Sequence, residues 1–280
     1  MIVQKQILCY TSRMKIIFTD IDGTFLDFGG YIPPSAVEAV HRARAKGNRV
    51  FVNTGRPKAE ITPNISCVGF DGYICSNGMY IEEAGEQLHY ECMDAALVRE
   101  VCGWMDRFAI GYFLEGQEAV YTNPFFLDET ARGLGQAAAD ALERSFPGLF
   151  RVCPLVYDGI AKINLVNRDG KYEELKQRFG DRLQIAGWTR TGRPNEMAEI
   201  TKLGASKAKG CRFMLERYGL TVADSYAFGD TGGDADMLRY CGTGVAMGNG
   251  TDEAKAAADY VTGTVREDGL IQAFEKFGLV

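Results

Sequence analysis

Two aspartates, Asp20 and Asp22, stand two positions apart at the end of an apolar run in "KIIFTDIDGTFLD". On an extended strand, residues i and i+2 point to the same side, so both carboxylates face one ligand if the strand persists that far. Carboxylates that close raise each other's pKa unless a cation sits nearby. The pair therefore calls for a metal ion or a lysine. A hard divalent ion such as Mg²⁺ takes carboxylate, carbonyl and water oxygens and commonly bridges to a phosphate. A simple Asp-Gly turn accounts for Asp22-Gly23 but leaves Asp20 unexplained.

A second acidic cluster lies in "FGDTGGDADM", with Asp230 at the end of an apolar run and Asp234 and Asp236 at the start of a short helical pattern. Aspartates in a first helical turn suit the helix dipole, which suffices for Asp236. Asp230 is different: after Gly229 at the end of a buried strand, an unpaired charge is costly. Lys207, in "LGASKAKG", falls in the first turn of a helix capped by Ser206 or a neighbour, where a cation opposes the dipole by about 0.3–1 kcal/mol. Facing the carboxylates, it would balance them and bind a phosphate oxygen; as a surface lysine it would simply bear the cost. Thr54, with Gly55 and Arg56 after it, offers a hydroxyl and backbone N–H donors to the same oxygens, or else caps a helix before Pro57.

Alternating strand and helix patterns must position these groups. "KIIFTD", the helix pattern "SAVEAVHRARAKG" and "RVFVNTG" form a β-α-β unit, and "DGYICSNG" adds a buried strand. After about residue 195 the alternation returns: a helix ended by Gly219, the strand "SYAFGD", the short helix "GDADMLRY", the strand "GVAMGN" and two closing helices. Such alternation predicts an α/β fold, a parallel Rossmann-like sheet covered by helices on both faces. Ligands of such sheets bind at the carboxyl ends of the strands. Asp20, Thr54, Asn77, Asp230 and Asn249 all follow strand patterns, which places them on one shared edge.

Between about residues 86 and 188 the texture changes. "AALVREVCGWMDRF" and "LGQAAADALERSF" read as amphipathic helices, and "IGYFLEGQEAVYTN" and "GIAKINLVN" as strands, the former with a turn at Glu115-Gly116. The predicted organisation is an N-terminal extension (1–13), a first core segment (14–85), an inserted α/β unit (86–188) and a second core segment (189–280). The crossings fall near Glu86 and near "GWTRTGRPNE".

Lysine and arginine number 31 against 37 acidic residues, which gives no general attraction for nucleic acid or anionic lipid. With only two histidines, His41 and His89, in unrelated contexts, a histidine-rich zinc site is excluded and any metal must have oxygen ligands. The eight cysteines are scattered without a C-x-x-C pair, as for buried thiols in a reducing cytoplasm. The first 13 residues lack the apolar core of a signal peptide, and no run is long enough to span a membrane.

The order "DIDGT", "NTGRP", "SK" and "GDTGGDADM", followed by "VAMGNG", resembles the haloacid dehalogenase superfamily, most closely its Cof-type phosphatases with a large α/β cap between the second and third motifs. The resemblance runs from Met14 across nearly the whole chain. It implies that Asp20 is the nucleophile that forms an aspartyl-phosphate, and that Asp22 protonates the leaving oxygen and then activates water. It further implies phosphate binding by Thr54, Gly55 and Lys207, and Mg²⁺ held by Asp20, the backbone carbonyl of Asp22 and Asp230, with Asp234 supporting the metal's water shell. Arg56, Asn77 and Asn249 become substrate-side candidates. One position departs from the pattern: Gly233 stands where the family usually has asparagine.

The expectation is a cytoplasmic, Mg²⁺-dependent phosphatase acting on small phosphorylated metabolites such as sugar phosphates, with no nucleic-acid or membrane partner. A phosphomutase of the phosphomannomutase type and a catalytically weakened phosphometabolite-binding regulator are the alternatives. In the insert, Tyr121, Phe126 and Lys162 are candidates for touching the leaving group, with the insert's core or its exposed face as their plainer assignment.

Overall fold

A computed structural model of the chain describes residues 14–117, 119–137, 139–140, 150–151, 155–166, 170–188 and 194–280; the predicted extension 1–13 lies outside them. The first sheet contains β1 (Ile16–Thr19), β2 (Arg49–Asn53), β3 (Gly72–Cys75), β4 (Tyr80–Glu83) and β5 (Glu86–Tyr90). The second contains β6 (Tyr112–Gly116), β7 (Val120–Thr122), β8 (Phe150–Arg151), β9 (Ile160–Val166), β10 (Leu183–Trp188) and β11 (Met197–Lys202). The chain then returns to the first sheet with β12 (Ser225–Gly229), β13 (Thr243–Ala246) and β14 (Tyr260–Val261).

The first sheet runs β14-β13-β12-β1-β2-β3-β4-β5, parallel from β14 through β3 and antiparallel through β4 and β5. Its central strands are buried on both faces, so their side chains alternate between two cores. Ile17, Val50 and Val52 pack with the helices Pro34–Ala45 and Gly269–Lys276. Ile16, Phe18 and Phe51 pack with the helices Lys207–Tyr218 and Ala235–Tyr240. Burial on both sides is what makes these strands read as continuous apolar runs. Because β13, β12, β1, β2 and β3 are adjacent and parallel, the predicted shared edge exists, with Asp20, Thr54, Asn77, Asp230 and Asn249 beyond the carboxyl ends.

The second sheet runs β10-β11-β9-β6-β7-β8 and carries the helices Ala95–Arg107 and Tyr172–Phe179 on one face, around Tyr112, Leu114, Ile163, Leu165 and Ile200. Its other face bears Glu115, Lys162, Asn164 and Glu199, from alternate positions of β6, β9 and β11.

The strand pairing moves both predicted boundaries of the insert. Residues 86–90 pair with β4 in the first sheet, and 197–202 pair with β9 and β10 in the second. The chain therefore crosses between sheets at 91–94 and again at 203–206. A tight turn through Ala84 and Gly85, both at positive φ, closes the β4–β5 hairpin and keeps β5 on the first sheet. The hairpin turn expected at Glu115-Gly116 also falls later: β6 runs through Gly116, whose N–H bonds to the carbonyl of Ala119. The expected helix over "LGQAAADALERSF" and the segment 189–193 lie largely outside the described residues.

Among the described cysteines, 75, 102, 211 and 241 are buried as free thiols, whereas Cys67 is exposed and Cys92 half-buried. No helix among the described residues is long and apolar enough to cross a membrane.

Candidate active site

Strand β1 stops at Thr19 and the chain turns through Asp20–Gly23, so Asp20 and Asp22 do not share one strand face. Asp20 turns inward to Lys207, with Oδ1 at 2.8 Å from the ammonium. Asp22 turns to Arg56, whose Nε and Nη2 donate to its two oxygens at 2.7 and 2.6 Å. The strand geometry expected to align the two carboxylates is corrected accordingly: β1 ends three residues before Asp22, and a turn rather than strand alternation places the pair. Gly23 makes the turn possible. It sits at φ +77°, and a Cβ there would lie 2.1 Å from Oδ2 of Asp230. Only glycine allows so close an approach of the two motifs.

Lys207 begins its helix as predicted, with Ser206 as cap: the Ser206 hydroxyl accepts the Lys209 N–H. Its ammonium is buried and bridges Asp20 and Oδ1 of Asp234, the latter at 2.5 Å. The other oxygen of Asp234 accepts the N–H groups of Asp230 and Thr231 at 3.0 and 2.9 Å and the Thr231 hydroxyl at 3.1 Å. Asp234 thus folds the loop after β12 back on itself, while Oδ1 of Asp230 accepts the hydroxyl of Thr24 at 3.0 Å. Asp236 lies in the first turn of the helix Ala235–Tyr240, and its carboxylate also accepts the Ala208 N–H at the start of the lysine's helix.

Three buried carboxylates, Asp20, Asp230 and Asp234, bring ligand oxygens within 4.8 Å of one another. One lysine cannot neutralise all three. Burial above all, then the negative charges of Asp20 and Asp234, pushes Asp230 up to about 8. Burial likewise pushes Asp20 up to about 7 against the pull of Lys207. Lys207 is held above its usual range: burial pulls it down, but Asp20 and Asp234 outweigh that. An all-oxygen donor set with an uncompensated negative charge fits a hard divalent cation.

A pH effect follows. A carboxyl whose folded pKa is raised contributes stability that is present below the unfolded value and lost as pH rises to the folded one. For Asp230 that window runs from about 4 to about 8. With a chelator present, Asp230→Asn is expected to melt above the wild type at pH 8, with the gap closing toward pH 4. Thermal melts of both proteins across that range check it; a gap independent of pH would contradict the charge excess.

The remaining predicted residues lie around this centre. The Thr54 hydroxyl accepts the Arg56 N–H at 3.2 Å and caps no helix; the short turn Lys58–Glu60 starts from Pro57 instead. Asn77, at φ +55°, donates to Glu199 on the inserted sheet, and its carbonyl oxygen lies beside Gly55. Asn249 is engaged at both ends of its amide, donating to the carbonyl of Gly23 at 2.7 Å and accepting the Val265 N–H at 3.0 Å. It ties the loop at Gly23 to the loop at Val265. Tyr121 and Phe126 belong to the apolar packing of the insert. Lys162 reaches across to the first sheet, with Nζ 2.6 Å from the carbonyl of Gly55.

Two contributors escape pattern reading. Thr24 follows the acidic pair as an ordinary turn residue. Asn53 is fully buried in β2 and donates to the backbone carbonyl of Lys207 at 2.9 Å. A polar residue directly after the apolar run Val50–Val52, at the end of β2, was the available signal for Asn53.

The chain is 29% identical over 266 residues to the pyridoxal phosphate phosphatase YbhA of Escherichia coli (strain K12), covering 92% of this chain and 96% of that protein. It is 26% identical over 282 residues to the phosphatase YwpJ of Bacillus subtilis (strain 168), covering 92% and 97%. The solved HAD subclass IIB sugar phosphatase BT4131 superposes with a TM-score of 0.79 at 26% identity, over 95% of this chain and 100% of that one. The family description matched over residues 17–274 is "haloacid dehalogenase-like hydrolase", and it spans every strand-end residue of the site. With phosphatases among its relatives at nearly full length and the fold of a sugar phosphatase, this chain belongs to the haloacid dehalogenase-like hydrolase family.

Proposed function

We propose that the protein is a Mg²⁺-dependent phosphatase of small phosphorylated metabolites, sugar phosphates among them, working through a phosphoryl group carried on Asp20. The observation that carries this reading is the Lys207 ammonium held between Asp20 and Asp234, beside Asp230, at the carboxyl edge of the parallel sheet. Lys207 engages Oδ1 of Asp20, which leaves Oδ2 to attack phosphorus as the bond from phosphorus to the leaving oxygen breaks. Asp22, paired through both oxygens with Arg56, leaves that pair, takes up a proton from solvent and gives it to the leaving oxygen. It then takes a proton from the water that attacks the phosphoryl group, and the bond to Asp20 breaks to release inorganic phosphate.

The Thr54 hydroxyl, the loop N–H groups around Gly55 and the Lys207 ammonium bind the phosphoryl oxygens and spread their charge. Asp20, Asp230 and the carbonyl of Asp22 would hold Mg²⁺, which lends positive charge to the transferring group. Asp234, with both oxygens taken by protein donors, supports the ligands instead of joining them. The polar face of the inserted sheet covers the edge and favours leaving groups rich in hydroxyls over apolar ones. The net charge of −6 gives an anionic substrate no general attraction, so a local site must hold it.

The test is release of inorganic phosphate from a panel of phosphorylated metabolites with Mg²⁺ and with chelator. Metal-dependent release, strongest on a subset of small polyhydroxylated monoesters, is expected. An isomeric monophosphate product, or turnover unaffected by chelation, would overturn the reading.

Gly233 supplies a second measurement. A Cβ there would meet only the Thr231 hydroxyl, at 3.4 Å, an ordinary contact, so the backbone at this position admits a side chain. A side-chain amide beside the acidic loop can orient metal-bound water, and groups of that kind change metal affinity or activity about 10- to 100-fold. Gly233→Asn is therefore expected to reach half-maximal activity at lower Mg²⁺ than the wild type, by about tenfold. Superimposed titration curves would show the glycine to be neutral.

A further inference from the structure

The inserted sheet reaches the loop after β2 through a buried cation, Lys162. Lys162, only 5% exposed, lies on the sheet face turned away from its covering helices. Its ammonium donates to the carbonyl of Gly55 at 2.6 Å and lies 3.2 Å from Glu115 and 3.6 Å from Glu199. Glu115 and Glu199 in turn accept from Ser76 and Asn77 at 3.4 and 3.1 Å. Ser76 and Asn77 are both non-glycine residues at positive φ, a strained geometry that the surroundings must impose. Strained residues and a buried lysine thus meet where the two sheets touch.

The Gly55 carbonyl belongs to the same peptide group as the Arg56 N–H, and that N–H donates to the Thr54 hydroxyl oxygen. Ammonium, carbonyl, N–H and hydroxyl therefore form one chain of hydrogen bonds, in which each member polarises the next. A hydroxyl whose oxygen already accepts is left to donate its own hydrogen, and on the phosphatase reading a phosphoryl oxygen is what receives it.

We propose that Lys162 is a positioning residue which, when the inserted sheet is seated, orients the Thr54 hydroxyl for phosphate through the Gly55–Arg56 peptide. The proposal rests on the phosphatase reading for its ligand, but its hydrogen-bond chain is measurable without turnover. Seating of the insert and readiness of the phosphate loop become one event. A leaving group too large to let the sheet seat would then lose phosphate affinity as well as shape fit.

The double variant Lys162→Met/Glu115→Gln removes both buried charges together, so that neither is stranded. Hydrogen exchange of the Arg56 amide is expected to quicken about tenfold, the loss of a bond to a charged donor, with the amides of β1 and β2 unchanged. With p-nitrophenyl phosphate, KM is expected to rise by a similar factor while kcat holds, because the hydroxyl binds phosphate in ground and transition states alike. Glu115→Gln alone keeps the ammonium on Gly55 and is expected to leave Arg56 exchange at the wild-type rate. It provides the decision if the double variant does not fold. Wild-type Arg56 exchange in the double variant, or quickening in Glu115→Gln, would overturn the proposal. A wild type that releases no phosphate from any monoester would refute the phosphatase reading alone, since the exchange measurements stand without it.

Discussion

Asp20→Asn is expected to lose phosphatase turnover by about four orders of magnitude or more while remaining folded. The amide has nearly the carboxylate's volume but no charge with which to attack phosphorus. It also binds a divalent cation more weakly, so two contributions vanish at once. The fold tolerates the change because Asp20 is not a comfortable anion: burial raises it to about 7, and Asp234 and Asp22 repel it. Removing that charge leaves Lys207 paired with Asp234, and in a chelator at pH 8 the variant should melt no lower than the wild type. Phosphate release and a thermal melt on the same preparation check both halves. Turnover within tenfold of wild type would remove Asp20 from the chemistry; a collapsed melt would show its charge to be structural.

Much of this site was legible before any coordinates, for physical reasons that vary by residue. Asp20, Asp230 and Lys207 stood out because a charge at the end of a buried strand, or a cation at a helix start, is costly unless something balances it. Ser206 and Gly219 marked that helix's two ends, because an N-cap needs a side-chain acceptor and a left-handed C-cap favours glycine. Periodicity failed just past the end of β1, where one turn separated Asp20 from Asp22 and delivered Asp22 to Arg56.

The boundaries of the insert were misplaced because β5 and β11 carry no local mark of which sheet they join. Pairing partners are a long-range property. Lys162 was noticed only as a candidate for touching the leaving group, and its partners were unreadable for the same reason. Its neighbours Glu115, Glu199 and Gly55 lie far away in the chain, and a lysine in a strand otherwise reads as solvent-facing.

Lys207→Met is expected to cost both activity and stability. Methionine keeps most of the aliphatic volume but leaves Asp20 and the fully buried Asp234 without a cation. Removing one partner of a buried ion pair typically costs about 3–5 kcal/mol, because the remaining charge is stranded. For a chain of this size that is roughly a 10 °C fall in melting temperature. The transferring phosphoryl group also loses its protein cation, for a fall in kcat of about a thousandfold. Excess Mg²⁺ should restore more of the melting temperature in the variant than it adds to the wild type, since a divalent cation answers the same carboxylates. A variant that melts and turns over like the wild type would mean that the lysine is incidental to the acidic cluster.

The most direct measurement is chemical capture of the phosphoryl group. Full-length protein and the Asp22→Asn variant, in which release of the group is slowed, are mixed with a rapidly hydrolysed phosphomonoester and Mg²⁺, quenched in acid and digested for peptide mass mapping. The account predicts a phosphoryl group on the peptide containing Asp20, more abundant in the variant and absent from Asp20→Asn. Free phosphate produced at full rate by the wild type, with the phosphoryl group found on another residue or on none in either protein, would contradict it.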